Sequence, residues 1–294
     1  MLPSPHTRLI NCIIGFCKKS HSWVHPLADL GYDVKLIEQT ISLSKTEGHV
    51  KPDIVAVSKQ QLNALVFDCK GGKTVEDDQL TRYGKLTSAD LLRWVNVHSP
   101  EQLTHDICLT TYEQNHQYIA EKNKIFPIIS LSKDEIKKTG KFSKKEVEEQ
   151  FKNDIKIDSS MKEPLSYYPF SENDDKTVII PYVLRAIVTI LTDKRRKGRN
   201  VFDSDTFDDN EILTTIHKMW EALSEEHKKS LKTKVNVIVQ DLHRSYPKFN
   251  EQIASIRAST SSSTVSLSSF IETCNKIISE EEQKVRLSDY PQME

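Results

Sequence analysis

The chain has no long hydrophobic run, no clustered cysteines and no large net charge, and each absence excludes a class of protein. No stretch of the 294 residues approaches the roughly 20 apolar residues that a membrane-spanning helix needs. The five cysteines are widely spaced and form no CxxC pair, which speaks against a disulfide framework and a thiolate zinc site. The start lacks the features of a secretory signal. We therefore expect no membrane partner and an intracellular protein, either cytoplasmic or nucleoid-associated.

The near-zero charge excludes a strong global attraction to nucleic acid, but it is an average over unlike parts. Lysine and arginine total 41 against 42 aspartates and glutamates. Residues 201–294 carry 11 basic and 16 acidic residues, so the first two thirds of the chain are slightly positive. A polyanionic partner would therefore be held by local basic clusters. Apolar residues make up 37% of the chain, which suffices for a core.

Hydrophobic periodicity in the first half predicts alternating helices and strands around a mixed sheet. Apolar residues recur at helical spacing over residues 9–31, with a break at Pro26, and two short apolar runs are typical of strands buried on both faces. Thr74 is placed to cap the helix that follows them. The predicted order is one or two helices over residues 9–31, strands 34–43, 54–57 and 64–67, helix 75–86, strand 106–111, helix 112–122 and strand 126–131.

The second half is predicted to be helical. Apolar stripes at helical spacing cover residues 178–191, 212–223 and 231–242, and a tract rich in serine and threonine follows. The stripes suit an all-helical or a winged-helix-like domain that reads DNA, although packing alone also explains them. The predicted division is a core at 1–135, a charged and exposed connector at 136–176, a helical domain at 177–257, and a serine-rich linker with a short last helix at 258–294.

Polar residues flank the two apolar strands in an order that suggests chemistry. Pro52-Asp53 opens one strand, and Asp68-Cys69-Lys70 closes the next. If these strands are neighbours, both carboxylates lie at one edge of the sheet. Asp68 and Lys70 share a strand face, with Cys69 directed into the core. Gln79 and Tyr83 are four residues apart and share a face of the following helix.

These residue types suit metal-dependent hydrolysis of a phosphodiester. The carboxylates of Asp53 and Asp68 and the backbone carbonyl of Cys69 form a hard oxygen site for Mg²⁺ or Mn²⁺. Lys70 beside such a site assists the attacking water and offsets the charge on phosphorus. The nearby cations Lys73 and Arg82 are placed to contact neighbouring phosphates.

Together these motifs resemble the signature of the PD-(D/E)xK nuclease superfamily. Gln79-x-x-x-Tyr83 is similar to the additional motif of its RecB-like and CRISPR-adaptation exonuclease branch. The resemblance covers roughly residues 20–130. It implies a restriction-endonuclease-like α/β core with a mixed sheet flanked by helices, a Mg²⁺ or Mn²⁺ cofactor, and support of the metal site and bound strand by Gln79 and Tyr83.

The resemblance also implies a metal ligand or helper residue from the first helix, commonly histidine or glutamate. Four residues compete for that position, namely His21, His25, Asp29 and Glu38. Several members of the branch hold an iron–sulfur cluster with four cysteines. This chain has no clustered trio of cysteines after the motif, so no iron–sulfur cluster is expected.

Only the conjunction of the motifs is specific. An acid, any residue and lysine occur in that order seven times, and Gln-x-x-x-Tyr recurs at Gln114. Among the seven, only Asp68 follows an apolar strand run, with Pro-Asp before it and the glutamine helix after it. In the alternative interpretation Asp68 and Lys70 merely end a strand at the surface, and Gln79 and Tyr83 belong to an ordinary helix face.

A dense basic cluster in the second half is a second candidate for contact with nucleic acid. It lies in a predicted turn, where it could hold a DNA backbone, and a solvated loop is the equally weighted alternative. The cluster consists of Lys194, Arg195, Arg196, Lys197 and Arg199.

The leading hypothesis is a metal-dependent deoxyribonuclease. One alternative is a nuclease-like fold that binds nucleic acid or assembles with partners but has little activity of its own. A second is a nuclease of RNA, because chemistry at the phosphate does not distinguish the two sugars. DNA is the expected partner, and a homodimer or a larger nuclease assembly stays open.

Overall fold

The computed structural model describes residues 2–44, 48–196, 208–258 and 264–288, which fall into two compact units. The sheet unit comprises Ser4–Tyr168 and Glu221–Glu225. The helical unit comprises the described parts of Pro169–Trp220 and Glu226–Glu294, with Leu2 and Pro3. None of the helices in these ranges is both long and apolar enough to cross a bilayer.

Helices and strands alternate in the sheet unit, as the sequence predicts, and helices fill the helical unit. The helices are α1 Pro5–Phe16, α2 Asp77–Tyr83, α3 Ser88–Leu92, α4 Glu113–Lys122, α5 Lys145–Gln150, α6 Lys176–Arg196, α7 Asp209–Ile216, α8 Glu225–Ser245, α9 Pro247–Ala258 and α10 Thr264–Ser288. The strands are β1 Tyr32–Ile37, β2 Ile41–Ser42, β3 His49–Val50, β4 Ile54–Ser58, β5 Asn63–Lys70, β6 Thr104–Tyr112, β7 Ile128–Leu131, β8 Glu135–Thr139 and β9 Ile155–Lys156.

One mixed sheet of seven strands organises the sheet unit in the order β1-β4-β5-β6-β7-β8-β9. The first three strands are antiparallel, β5, β6 and β7 are parallel, and the last pairs are antiparallel. The central strands β4 and β5 are buried on both faces, which explains their continuous apolar runs. The predicted fold class, a mixed sheet flanked by helices followed by a helical region, is confirmed at this level.

Both faces of β5 are covered by helices. On one face Val66 belongs to an apolar cluster that includes Tyr83 of α2 and Leu91 of α3. Helix α1 packs against β5 as well. Because side chains alternate along a strand, Cys69 points away from the side of Asp68 and is buried, as expected.

Helix α1 begins four residues earlier than the apolar periodicity predicts. Ser4 caps it, with its hydroxyl oxygen accepting a hydrogen bond from the Thr7 amide at 3.2 Å, and Pro5 occupies the first turn. The helix ends at Phe16, and the predicted continuation to residue 31 is wrong because that segment forms turns. Asn11 fixes the helix: its carboxamide accepts from the Tyr168 amide at 2.8 Å and donates to the Tyr168 carbonyl at 2.5 Å.

The strand predicted over residues 34–43 is two strands in different sheets. Strand β1 ends at Ile37, and Glu38 adopts a left-handed backbone with φ 57°. This conformation is uncommon for a residue with a side chain, and it turns the chain away from the main sheet. Its amide still donates to the Asp53 carbonyl at 3.0 Å. Strand β2 then pairs with β3 in a separate two-stranded sheet.

The prediction of an exposed connector over residues 136–176 is wrong, because the segment carries regular structure and buries apolar side chains in both units, Phe170 included. It contains β9, α5 and most of β8, and it buries Ile136, Phe142, Val147 and Phe151. The rings of Phe142 and Phe151 are 5.8 Å apart. A few apolar residues at wide spacing suffice to attach a charged segment to a sheet edge, and composition alone does not reveal them.

Helix α2 is shorter than predicted, running from Asp77 to Tyr83 rather than over residues 75–86. The residue before it is Glu76, whose side chain makes no capping hydrogen bond, so the predicted cap at Thr74 is wrong. Two acidic residues in the first turn favour the helix through its dipole, as expected.

The predicted apolar stripes of the helical unit are buried. In α8 they consist of Leu231, Val235, Ile238 and Leu242. Strands are absent from the described part of this unit, which favours the all-helical alternative over a winged helix. Helix α6 continues to Arg196, so the first part of the basic cluster lies on a helix rather than in a turn. Helix α10 spans 25 residues and is longer than the short last helix predicted for residues 258–294.

A buried histidine makes the stability of the helical unit depend on pH. Burial lowers the pKa of His217 to about 3, and its ring lies 4.8 Å from that of Phe170. The unfolded chain takes up a proton near pH 6.5, which the folded unit does not. The contribution of His217 to the free energy of unfolding should therefore be constant above pH 6.5 and fall by up to roughly 1.4 kcal/mol per pH unit below it, towards pH 3.

Urea denaturation at pH 7.5 and pH 5 measures this effect. His217→Gln should be less stable at pH 7.5 but should lose the histidine-dependent part of the acid sensitivity. His243→Gln, on α8, serves as the control and should behave like the wild type. Equal pH dependence in all three proteins would contradict the assignment.

Candidate active site

Residues from three separate parts of the sheet unit converge at one sheet edge. His6 comes from the first turn of α1, Glu38 directly follows β1, and Asp53 directly precedes β4. Each offers one ligand atom, and these three atoms lie within 4.8 Å of one another. The group can therefore share a single cation, and we call it the acidic cluster. Asp68, which the sequence predicts as the second metal ligand beside Asp53, does not belong to this group.

Asp53 is held by the end of the neighbouring strand. Its side chain is buried, and one carboxylate oxygen accepts the Cys69 amide at 2.5 Å. Its own amide donates to the Phe67 carbonyl at 3.0 Å. Since Ile54 pairs with Phe67, the next step of the antiparallel register places Asp53 beside Asp68. The two predicted carboxylates are thus brought together by adjacent strands.

His6 is oriented by a backbone carbonyl. Its Nδ1 is 3.0 Å from the Cys69 carbonyl oxygen, which can only accept, so Nδ1 carries a proton. Nε2 faces the carboxylates of Asp53 at 3.3 Å and Glu38 at 3.6 Å. Burial alone would lower the pKa of His6, but the hydrogen bonds and charges of Asp53 and Glu38 outweigh it and raise the pKa to about 11.

Besides His6, Glu38 contacts a second basic side chain, Lys51, on the outer side of the acidic cluster. Lys51 Nζ lies 3.0 Å from one carboxylate oxygen of Glu38, while His6 faces the other. The Glu38 side chain is only 12% exposed, and that of Lys51 is 42% exposed. Lys51 thus extends the site towards solvent with a positive charge.

Asp68, Lys70 and Gln79 form a connected group next to the acidic cluster. Lys70 Nζ is 2.8 Å from Asp68 Oδ2 and donates to Gln79 Oε1 at 2.7 Å. The Gln79 amide donates to Asp68 Oδ1 at 3.4 Å. Burial, followed by the charge of Asp53, raises the pKa of Asp68 to about 6, although Lys70 acts in the opposite direction.

Tyr83 lies behind this group, fully buried. Burial, followed by the charges of Asp68 and Asp53, raises the pKa of its hydroxyl well above the ordinary range, so the phenol stays protonated. In the described part of the chain the hydroxyl has no hydrogen-bond partner of good geometry. Its main contribution is packing in the apolar cluster, and through it α2 is fixed in place.

The predicted phosphate contacts fall into two separate places. Lys73 is exposed just after β5, and Arg82 is half-buried in the last turn of α2. In the helical unit Lys194 pairs with Glu211 at 2.7 Å, and Arg196 is exposed. The Arg195 side chain, Lys197 and Arg199 lie outside the described residues.

The sequence named four candidates for the helper residue, and the structure brings only Glu38 into the acidic cluster. His21, His25 and Asp29 lie in the turns after α1, where Asp29 pairs with Lys19 at 2.8 Å. Sequence reasoning missed His6 because the helix was predicted to begin after it. Ser4-Pro5, an N-cap residue followed by proline, was the signal that extends the helix to His6.

The donor set fits a divalent cation. Asp53 and Glu38 supply hard oxygens, and His6 adds an imidazole nitrogen. The Cys69 carbonyl, predicted from the sequence as a further ligand, lies on the Nδ1 side of the His6 ring, away from the two carboxylates. The hydrogen bond from Nδ1 to the carbonyl leaves Nε2 as the ligand atom, which is the usual orientation of a metal-binding histidine, and a bound cation would take the place of the Nε2 proton. A nitrogen ligand favours Mn²⁺ over Mg²⁺, which prefers oxygen alone.

Comparisons with known proteins identify two consecutive regions. The model of the MJECL32 domain matches residues 5–168, and that of a domain of unknown function, DUF8601, matches residues 172–280. An uncharacterized protein, MJECL32, from Methanocaldococcus jannaschii is 31% identical over 93 residues. That alignment covers 28% of this chain and only 21% of the relative. No solved structure matches the chain.

The matched regions agree with the two structural units. The first ends at residue 168, as does the main segment of the sheet unit, and it contains every residue of the acidic cluster. It spans more than half of the 294 residues. The chain belongs to the MJECL32 domain family, whose region of the molecule carries the candidate active site.

Proposed function

We propose that the protein is a metal-dependent nuclease that hydrolyses phosphodiester bonds of DNA. The observation that carries the proposal is the contact of Asp68, Lys70 and Gln79 beside the acidic cluster. A lysine next to a cation site is the combination that activation of water at a phosphate needs. Buried Asp68 has Lys70 as its ion-pair partner, so the arrangement is specific rather than a loose surface pair.

The fold supports the same proposal. The PD-(D/E)xK resemblance implies a mixed sheet flanked by helices, with the site where two adjacent strands meet. Here Asp53 precedes β4 and Asp68 lies near the end of β5, which pair as neighbours. Gln79 reaches both Asp68 and Lys70 from α2, consistent with a supporting role for the Gln-x-x-x-Tyr motif.

Each side chain has a role that follows from its position. His6, Glu38 and Asp53 would hold Mn²⁺ or Mg²⁺, with Asp68 and the Cys69 carbonyl beside them. The bound ion would supply a Lewis acid that stabilises negative charge on the phosphate. Lys70 orients the attacking water and places a positive charge near the phosphorus, and Gln79 fixes the Lys70 amine through its carboxamide oxygen.

Incubation with nucleic acids and metals tests the proposal. Linear and circular DNA, single-stranded DNA and RNA of matched sequence should each be incubated with Mn²⁺, with Mg²⁺ and with EDTA. We expect cleavage of DNA with Mn²⁺, slower cleavage with Mg²⁺ and none with EDTA. Cleavage of RNA alone would make RNA, and not DNA, the substrate. Binding of nucleic acid without cleavage under any metal would favour the non-catalytic alternative.

A further inference from the structure

A cavity of about 430 Å³ lies within the sheet unit, lined in part by Arg8 of α1. It opens where β6 ends at Tyr112 and β7 ends at Leu131, two parallel strands. The carboxyl ends of parallel strands are where α/β proteins bind ligands. The volume lies in the range of pockets that hold one small molecule.

The cavity and the acidic cluster share the beginning of α1. The Tyr112 hydroxyl donates to the Pro5 carbonyl at 3.4 Å, and His6 is the next residue. Tyr112 comes one residue after Thr111, the partner of Lys70 in the parallel β5–β6 ladder, so its side chain lies on the opposite face of the sheet from Lys70. A strand of nucleic acid with a phosphate at the acidic cluster would reach the cavity by passing over the carboxyl ends of β5 and β6.

The charges that line the cavity are mostly neutralised. Arg8 forms two hydrogen bonds of 2.6 Å with the carboxylate of Glu163, and Glu113 pairs with Lys137 at 2.8 Å. Lys133, exposed at the rim, is the lining cation for which the described residues offer no ion pair. Because the interior of the cavity carries no unpaired positive charge, it disfavours a phosphate. It suits an uncharged group whose attached phosphate stays outside, near the cation at the rim.

The remaining walls suit a planar heteroaromatic group. Trp23, Leu131, Ile157 and Met161 supply apolar surface, and the Tyr112 ring lies under the Arg8 guanidinium at 5.7 Å. Gln114, at the start of α4, has an exposed carboxamide with no hydrogen-bond partner among the described residues. A carboxamide offers a donor and an acceptor together, which matches the edge of a nucleobase.

We propose that this cavity binds one unpaired nucleobase of the strand held at the candidate active site. The inference rests on the proposed function, and it names the substrate class as single-stranded or locally unpaired nucleic acid. A base in a duplex is stacked and paired, so it must leave the stack before it can enter a pocket. Stacking and hydrogen bonds inside the cavity compensate for that step.

Binding without metal tests the inference separately from cleavage. The probes are a fluorescein-labelled single-stranded decanucleotide and a decamer of the same backbone that lacks all bases, measured by fluorescence anisotropy in EDTA. We expect the wild type to bind the complete strand at least roughly ten-fold more tightly, as base stacking commonly gives. Gln114→Trp fills the cavity from the surface and should remove this difference.

Gln117→Trp is the matched control, because Gln117 is exposed on the same helix and does not line the cavity. It should keep the full preference for the complete strand. Equal affinity of the wild type for both probes, or an unchanged preference in Gln114→Trp, would overturn the inference. The measurement contains no metal and does not depend on cleavage. Loss of the preference for the complete strand in Gln114→Trp therefore supports base binding in the cavity even if the protein cleaves no DNA.

Discussion

Replacing Asp68 by asparagine, or Lys70 by methionine, should lower Mn²⁺-dependent DNA cleavage by roughly 100- to 1000-fold. Asparagine keeps the shape of the side chain but removes the negative charge that faces Lys70 Nζ at 2.8 Å. Methionine removes the amine that Gln79 orients at 2.7 Å. The double variant should be little worse than either single variant, because residues that act as a unit are not additive.

The chain contains a matched control for this experiment. Asp33 and Lys35 form the same acid-x-lysine pattern on strand β1, with an ion pair of 2.7 Å. Asp33→Asn and Lys35→Met repeat the chemical change at a partly exposed site outside the acidic cluster. These control variants should cleave DNA within about two-fold of the wild-type rate. Undiminished cleavage by the Asp68 and Lys70 variants would contradict the assignment of these two residues to the active site. Thermal melting of every variant identifies losses that come from unfolding.

Replacing His6 by alanine should weaken Mn²⁺ binding by roughly 10- to 100-fold, by analogy with the loss of groups that orient a metal site. The variant loses the imidazole nitrogen that faces Asp53 and Glu38, which leaves carboxylate oxygens as the ligand atoms of the acidic cluster. The preference for Mn²⁺ over Mg²⁺ should therefore decrease. Isothermal titration calorimetry with each metal measures both effects without any nucleic acid.

His21→Ala and His25→Ala are the controls for this prediction. Both histidines were candidates from the sequence, and both lie in turns after α1, outside the acidic cluster. Their variants should bind Mn²⁺ as the wild type does. If His21→Ala or His25→Ala weakened binding and His6→Ala did not, the helper residue would have to be reassigned.

Local patterns were sufficient to predict the centre of the site. The apolar runs of β4 and β5 are buried as expected, and the register that pairs Ile54 with Phe67 brings Asp53 next to Asp68. Gln79 was placed on the correct helix, and it contacts Lys70 directly. These predictions depend on the chain between residues 52 and 83, where neighbouring elements in sequence are also neighbours in space.

The periphery of the site could not be predicted in this way. His6 lies 63 residues before the carbonyl that orients it, and its position depends on the packing of α1 against β5. Glu38 reaches the acidic cluster because the chain turns at a positive φ, which no periodicity reveals for a glutamate. Both contacts arise from tertiary packing, which overrides local propensity.

The position of a bound metal ion is the most direct test. Crystals soaked in Mn²⁺ and measured at the manganese absorption edge should show one anomalous peak within roughly 2.0–2.4 Å of ligand atoms from His6, Glu38 and Asp53. Such a peak would place the metal ion at the acidic cluster. Saturating Mn²⁺ with no peak at the acidic cluster, or with an ion bound only elsewhere, would contradict the assignment of this edge as the active site.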